Sequence, residues 1–252
     1  MSIKKPERPE IFAPTSISKR VHETIDFAVN AVGTAVIIGP AGIGKSAALA
    51  DYCATHEKAV AFEIEQPRKT LKRLGESIAE AFHFYITREF TSEIYDILTD
   101  RLSSEAERGA FLIIDEVQNA GIDGIRMLMS MHEHTKMPIV LVGNPAAIKR
   151  TQANTAVFDQ IEDRVARWVR LERPLPEDVR SIGIDHGVEG TDAYDALMAY
   201  GVHFTIRKAV RLLQTARLMA GDKGSIRYHH LMDAATFIHE NRSEVTKLLS
   251  SH

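Results

Sequence analysis

Cysteine, long apolar runs and net charge are all scarce in this 252-residue chain, and the first two of these scarcities each exclude a class of protein. Cysteine occurs once, at Cys53, so an internal disulfide is impossible and a reducing, cytoplasmic location is expected. No apolar run approaches the roughly 20 residues that span a bilayer, and residues 1–6 lack the apolar centre of a secretory signal. The formal charge is only −3, so local clusters of charge are more informative than the total.

Short apolar segments alternate with helical patterns over the first two thirds of the chain. Four of these segments are rich in β-branched residues and are bounded by polar or turn residues: residues 35–38, 59–64, 110–114 and 139–142. A weaker candidate lies at residues 168–171. Between them, residues such as Leu74 and Ile78 recur at helical spacing. This alternation predicts an α/β fold in which helices cover both faces of a parallel sheet.

Three parts are predicted along the chain. Residues 1–17 contain three prolines and several charges, which predicts a flexible N-terminal arm before a helix at 18–30. An α/β core is expected over residues 18–175. After Pro176 the strand-like segments stop, and residues 176–252 are expected to form a small helical lid. Its helices are predicted at about residues 176–186, 192–200, 205–220 and 228–249.

Residues 39–46 read Gly-Pro-Ala-Gly-Ile-Gly-Lys-Ser and match the phosphate-loop pattern Gly-x4-Gly-Lys-[Ser/Thr] in full. The glycines permit a tight loop whose backbone N–H groups point at phosphate oxygens, and the following helix adds positive potential. Lys45 is expected to reach the β- and γ-phosphates of ATP, and the Ser46 hydroxyl to hold Mg²⁺. A chance glycine-rich turn is the alternative. The predicted nucleotide-binding residues are Gly39, Pro40, Ala41, Gly42, Ile43, Gly44, Lys45, Ser46 and Ala47.

The apolar segment at residues 110–114 ends in two carboxylates, Asp115 and Glu116. Asp115 is expected to hold Mg²⁺, directly or through water. Glu116 is expected to polarise a water for attack on the γ-phosphate, which favours hydrolysis over transfer to a small metabolite. The alternative, a strand that ends in solvated acids, is disfavoured by the upstream phosphate loop. Another strand candidate, residues 59–64, lies between the phosphate loop and Asp115 in the sequence. A strand can therefore be inserted in the sheet between the neighbours of the two strands that carry these motifs.

These motifs resemble those of the AAA+ ATPases over roughly residues 18–240. Residues 139–144, Ile-Val-Leu-Val-Gly-Asn, are similar to the strand that ends in the family's sensor asparagine. The resemblance implies that Asn144 helps to orient the attacking water. The alternative is a turn asparagine before Pro145.

Two further segments are similar to elements of the family that carry arginines. Residues 158–168 resemble the segment with the arginine finger, which acts on a γ-phosphate bound by a neighbouring subunit. Arg164 is the first candidate and Arg167 the second. Residues 204–210 resemble the second sensor helix, which implies that Arg207 approaches the phosphates from the lid. Surface arginines are the alternative in each case. The resemblance implies a homo-oligomer, either a ring or a helical filament, with ATP and Mg²⁺ at subunit boundaries.

Within the AAA+ proteins, the chain most resembles the DNA transposition ATPases of the phage Mu B type. The Ile-Asp-Glu-x-Gln-Asn run at residues 114–119, the Gly143–Asn144 strand end and the small lid carry this resemblance. It implies assembly on duplex DNA and delivery of target DNA to a transposase or other recombination protein. Another AAA+ role, such as a helicase loader or a defence ATPase, shares the same residues. A small-molecule kinase and a scaffold that binds ATP without turnover are disfavoured by Asp115 and Glu116.

Duplex DNA requires a cationic surface, and two clusters are candidates. Mu-type proteins carry an extra N-terminal DNA-binding domain, whereas 38 residues precede Gly39 here, so the contacts are expected from the core. Cations and hydroxyls would bind the phosphate backbone without reading sequence. The alternative for each cluster is a solvated, charged face that does not bind DNA. The candidate residues are Arg68, Lys69, Thr70, Lys72 and Arg73 after the second strand, and Lys149 and Arg150 further on.

Overall fold

The computed structural model of this chain describes residues 3–65, 70–86, 91–145, 162–221 and 224–239. The chain divides into two compact units. The first comprises Met1–Arg8, Arg20–Pro40 and Ser46–Leu171. The second comprises Pro9–Lys19, Ala41–Lys45 and Glu172–His252.

The first unit is built on a parallel sheet, as the alternating pattern predicts. Its strands within the described residues are β1 (Thr34–Ile38), β2 (Ala59–Glu63), β3 (Phe111–Asp115), β4 (Ile139–Gly143) and β5 (Arg167–Arg170). They lie in the order β2-β3-β4-β1-β5, and all four pairings are parallel. Every residue of β1, β3 and β4 is buried, because helices cover both faces of the sheet. The strand candidate at residues 59–64, on which the expectation of an inserted strand rests, is β2 at the end of this order, and the strand that lies between the two motif strands is instead β4.

Helices of the first unit pack their apolar faces on this sheet. The helices that precede or cover the sheet are α1 (Ser16–Asn30), α2 (Lys45–Thr55), α3 (Leu71–Ala81), α4 (Thr91–Glu107) and α5 (Gly121–Thr135). Ile78, Leu98 and Leu128 are fully buried in the resulting core. Helices α3 and α4 approach closely at Gly75, where an added Cβ would lie 2.8 Å from Ile94 Cγ2.

The segment before α1 makes contacts in both units. Lys4 forms an antiparallel bridge with Glu63 on the edge strand β2, and their charged groups lie 2.6 Å apart. Hydrogen bonding to this carboxylate raises the pKa of the Lys4 ammonium. In the second unit, Ala13 is buried in the apolar core. The boundaries at residues 17 and 175 stay predictions.

The second unit contains the predicted helices of the lid. They are α6 (Pro176–Asp185), α7 (Thr191–His203), α8 (Ile206–Ala220) and α9 (Tyr228–Ile238). Leu197, Leu212 and Leu231 are fully buried where these helices pack together. The sequence pattern predicts that the last helix continues to residue 249, and residues 240–252 lie outside the described part of the chain. In the part that the structure describes, no helix is both long and apolar enough to cross a membrane.

Candidate nucleotide-binding and hydrolysis site

The candidate site lies where β1, β3 and β4 end, because the carboxyl ends of parallel strands share one edge of the sheet. The phosphate loop follows β1, the two acidic residues end β3, and Asn144 follows β4. The Gly39 amide donates a 3.1 Å hydrogen bond to the Gly143 carbonyl, which attaches the start of the loop to the end of β4.

The phosphate loop has the backbone that its glycines predict. Gly42 has φ +78° and Gly44 has φ +100°, in the region that glycine adopts without a Cβ penalty. Ile43 between them is buried, and Lys45, the first residue of α2, is 7% exposed. Successive N–H groups in such a loop and at the helix start form a cradle for phosphate oxygens. The residues present therefore fit a nucleoside triphosphate.

Ser46 and Asp115, the two predicted Mg²⁺ ligands, are in direct contact. The Ser46 hydroxyl donates a 2.6 Å hydrogen bond to Asp115 Oδ2. The Glu116 amide donates to the other carboxylate oxygen at 2.8 Å, and Asp115 is 2% exposed. Both side chains offer hard oxygen atoms, the ligands that Mg²⁺ prefers, so the pair fits this ion. Among the described residues there is no group of three or more histidine, cysteine or acidic side chains that could hold a metal ion.

Glu116 and Asn144, the predicted base and sensor, are joined by Gln118, a residue to which the sequence pattern assigns no role. Glu116 has φ +55° and ψ +38°, a left-handed conformation that is unusual outside glycine. A short 3₁₀ helix, Val117–Asn119, follows it. Within this turn, the Gln118 side-chain amide donates to the Glu116 carboxylate and accepts a 3.3 Å hydrogen bond from the Asn144 backbone amide. The Ile-Asp-Glu-x-Gln-Asn run is the only sequence signal for Gln118.

The two candidate finger arginines differ in their surroundings. The Arg164 side chain is 46% exposed, and its Nε lies 3.2 Å from a Glu133 carboxylate that is equally exposed. Arg167 is half-buried at the start of β5, with its guanidinium carbon 5.2 Å from the centre of the Phe27 ring. Arg164 is therefore the more accessible of the two.

Arg207 lies beside the phosphate loop within the second unit. Thr205 caps α8 by accepting a hydrogen bond from the Lys208 amide, and the Arg207 amide donates to the Gly42 carbonyl at 2.9 Å. A Cβ added to Gly42 would lie 3.1 Å from Thr205 Oγ1 and 3.3 Å from Arg207 Cβ. The loop is thus packed against the start of α8. The Arg207 side chain itself is exposed, and its approach to phosphate stays a prediction.

The predicted DNA contacts are described only in part. Thr70, Lys72 and Arg73 lie at the start of α3, where the Thr70 hydroxyl accepts a hydrogen bond from the Arg73 amide. The Arg73 guanidinium lies 2.8 Å from Glu76 in an exposed ion pair. The other four candidates, Arg68, Lys69, Lys149 and Arg150, lie outside the described residues.

Known proteins with similar sequences carry names that refer to DNA transposition or to target DNA activation. Residues 30–151 match the model of the AAA domain family. The chain is 20% identical over 181 residues to the Mu-like prophage FluMu DNA transposition protein B of Haemophilus influenzae, covering 71% of this chain and 62% of that protein. It is 24% identical over 194 residues to the ATP-dependent target DNA activator B of Escherichia phage Mu, covering 76% and 61%. The chain thus spans about three fifths of these relatives.

Similar solved structures agree on the fold. The ADP form of the Aeropyrum pernix ORC2 protein superposes with a TM-score of 0.67 at 14% identity, covering 90% of this chain and 70% of that one. A RuvB protein of Thermotoga maritima superposes with a TM-score of 0.60 at 17% identity, covering 93% and 74%. At these identities the likeness shows the fold alone. Residues 30–151 therefore match the AAA domain, and sequence similarity relates the chain to the Mu-type DNA transposition proteins.

Proposed function

We propose that this protein is a Mg²⁺-dependent ATPase that assembles on duplex DNA and delivers target DNA to a transposase. The hydrogen bond between Ser46 and Asp115 carries the proposal of hydrolysis, because it joins the two proposed Mg²⁺ ligands, one of which directly follows Lys45 of the phosphate loop. The transposition role is supported by the relatives, whose names refer to DNA transposition and target DNA activation. The single cysteine supports action in the reducing cytoplasm.

Each residue of the site has a distinct part in the proposed hydrolysis. The loop amides and Lys45 would bind the β- and γ-phosphates, and the oxygens of Ser46 and Asp115 would hold Mg²⁺. Bound Mg²⁺ would neutralise charge on the phosphate oxygens. The Glu116 carboxylate accepts a proton from the attacking water, which Asn144 helps to orient.

We propose that hydrolysis is completed by an arginine of a neighbouring subunit. A guanidinium supplied in trans meets the negative charge that develops on the γ-phosphate. Arg164 is the first candidate because it is exposed, and its ion pair with Glu133 at the surface is weak enough to exchange partners. Arg167 is the second candidate.

The start of α3 is the proposed DNA contact within the described residues. Backbone amides of a first helical turn attract phosphate, and Lys72 and Arg73 add positive charge there. The exposed pair between Arg73 and Glu76 costs little to open, so DNA phosphate can replace the carboxylate. Arg68 and Lys69, and the separate second cluster at Lys149 and Arg150, are the other proposed DNA contacts.

ATPase rate and electron microscopy, each measured with and without duplex DNA, test the proposal. We expect ATP and DNA together to produce oligomers, and Glu116→Gln to slow hydrolysis and prolong their life. Glu189→Gln, in the loop between α6 and α7 of the second unit, is the matched control and should behave as wild type. If DNA changes neither the rate nor the assembly, the DNA-delivery proposal is wrong. A strand-transfer assay with a candidate transposase then separates delivery to a transposase from another AAA+ role.

Salt dependence tests the DNA surface separately. Each DNA phosphate that a variant no longer binds should reduce the slope of log affinity against log salt by about 1. Lys72→Ala and Arg73→Ala should each show this reduction, whereas Lys58→Ala, at the opposite end of β2, should leave the slope unchanged. An equal slope for all three variants would contradict the proposed contact at α3.

A further inference from the structure

The Gln118 side chain bridges the proposed base to the end of a neighbouring strand. Its Nε2 group donates to Glu116 Oε2, and its Oε1 atom accepts from the Asn144 backbone amide at 3.3 Å. The two partners lie on different segments of the chain, since Glu116 follows β3 and Asn144 follows β4. One side chain therefore links two elements that must act together in hydrolysis.

The orientation of this amide is determined by its partners. A backbone amide can only donate, so the Gln118 atom that faces Asn144 must be the carbonyl oxygen. An ionised carboxylate can only accept, so the atom that faces Glu116 must be the amide nitrogen. The opposite orientation would place two donors together at one end and two acceptors at the other. Glutamine is thus matched to both partners at once.

The turn that presents Gln118 is anchored at both sides. Glu116 adopts a left-handed conformation, which reverses the chain so that the residue two positions later returns to its carboxylate. Val117 is buried in the core, and the Asn119 side-chain amide donates a 2.7 Å hydrogen bond to the Ile64 carbonyl beyond β2. Because the turn is held in this way, the Gln118 side chain has little freedom to form hydrogen bonds with other partners.

We propose that Gln118 is a positioning residue that holds the Glu116 carboxylate in a fixed position relative to the end of β4. The same strand end accepts the hydrogen bond from Gly39, so the base is also linked to the start of the phosphate loop. Hydrogen bonds thereby connect Glu116, the Gly143–Asn144 strand end and Gly39. This inference rests on the proposed ATP hydrolysis, since it assigns the base a partner.

The bridge is tested first without nucleotide. Gln118→Met keeps the length of the side chain but removes both hydrogen bonds. We expect the Asn144 backbone amide resonance to shift and its hydrogen exchange to accelerate. Gln214→Met, at an exposed position of α8, should change neither. An Asn144 amide that is unaffected by Gln118→Met would overturn the bridge.

Kinetics then test the effect on the base. A small displacement of a catalytic group is costly, so Gln118→Met should lower kcat by about tenfold. The dissociation constant for fluorescent ATP should stay within about twofold, because the phosphate cradle is unchanged. Gln118→Glu, which replaces the donor with a second carboxylate, should lower kcat at least as far. Thermal unfolding of each variant identifies any loss that comes from misfolding.

A double-mutant cycle distinguishes positioning of Glu116 from a general structural role. If Gln118 acts through Glu116, then Gln118→Met should have no further effect on single-turnover hydrolysis in a Glu116→Gln background. The same tenfold loss in both backgrounds, or a kcat that rises in the single variant, would overturn the proposal. If the wild-type protein hydrolyses no ATP, the proposed function is wrong. The shift of the Asn144 backbone amide resonance in Gln118→Met still decides whether the bridge exists.

Discussion

The Ser46 hydroxyl donates a 2.6 Å hydrogen bond to Asp115 Oδ2, across 69 positions of sequence. The contact is possible because β1 and β3 are parallel, are separated only by β4, and end at the same edge of the sheet. Asp115 is 2% exposed, and its carboxylate accepts hydrogen bonds from this hydroxyl and from the Glu116 amide.

Removal of this hydroxyl should weaken the use of Mg²⁺. In Ser46→Ala one hard oxygen ligand is lost, so we expect the ATPase rate at saturating Mg²⁺ to fall by about tenfold or more and half-activation to need more Mg²⁺. Ser103→Ala is the matched control, because its hydroxyl donates to the Thr99 carbonyl within α4. Steady-state rates over a Mg²⁺ titration provide the measurement. Superimposable titration curves for wild type and Ser46→Ala would contradict the assignment.

Gly42→Ala should impair nucleotide binding specifically. The left-handed conformation at this position costs a residue with a Cβ about 1–2 kcal/mol, and the new methyl group would also press on Thr205 and Arg207. We expect the dissociation constant for fluorescent ATP to rise.

Gly109→Ala is the control for backbone strain alone. Gly109 has φ +83° but no heavy atom within 4 Å of an added Cβ. Both variants should lose stability to urea, Gly42→Ala at least as much as Gly109→Ala, and only Gly42→Ala should lose nucleotide affinity. Equal affinities would show that packing of the loop against α8 does not matter for binding.

Asp178 should be important for the stability of the second unit. Its buried carboxylate accepts hydrogen bonds from the Ser16 amide, the Ser16 hydroxyl and the Leu175 amide at 2.6, 2.7 and 2.9 Å. Asp178→Ala leaves these donors without their acceptor, so we expect a loss of about 1–3 kcal/mol in the free energy of unfolding. Asp185→Ala, at an exposed position of the same helix, should cost far less in the same urea titration. Equal losses would contradict this role.

The single thiol should titrate at unusually high pH. Burial raises the pKa of Cys53 from 9.0 to about 11. The folded state therefore holds its proton where the unfolded state has lost it. The stability contribution is fully present below pH 9.0 and is lost as the pH rises through about 11.

Iodoacetamide kinetics across this range measure the titration. The rate in the folded protein should stay low near pH 9 and rise toward pH 11, whereas the protein in urea should react at the lower pH. Cys53→Ser removes the only thiol and confirms the origin of the signal. A folded-state midpoint at the ordinary pKa would refute the prediction.

Mixed subunits should show whether Arg164 acts in trans. Arg164→Ala lacks the finger but keeps its own base, whereas Glu116→Gln lacks the base but still provides the finger. Each variant should be nearly inactive alone, and an equal mixture should recover about a quarter of the wild-type sites if subunits assort at random. Arg167→Ala in the same experiment tests the second candidate. Failure of every mixture to recover activity would argue against a shared site.

Local patterns predict most of the elements. The predicted segment 35–38 corresponds to the strand Thr34–Ile38, and the predicted segment 139–142 corresponds to Ile139–Gly143. Both are predictable because a short apolar run of β-branched residues bounded by turn residues is typical of a buried strand. The phosphate loop can also be predicted, since its glycines and the following lysine are contiguous. The predicted helix 205–220 starts within one residue of the observed start at Ile206.

What the sequence determined by itself was most of the strands and helices and the phosphate-loop motif, because these depend on residues close together in the chain. Only the tertiary structure decided that β4 lies between β1 and β3, that Ser46 contacts Asp115, and that Gln118 joins Glu116 to Asn144. These relationships depend on which distant strands pair and where their ends meet. That choice results from packing of the whole sheet with its helices, and no single segment encodes it.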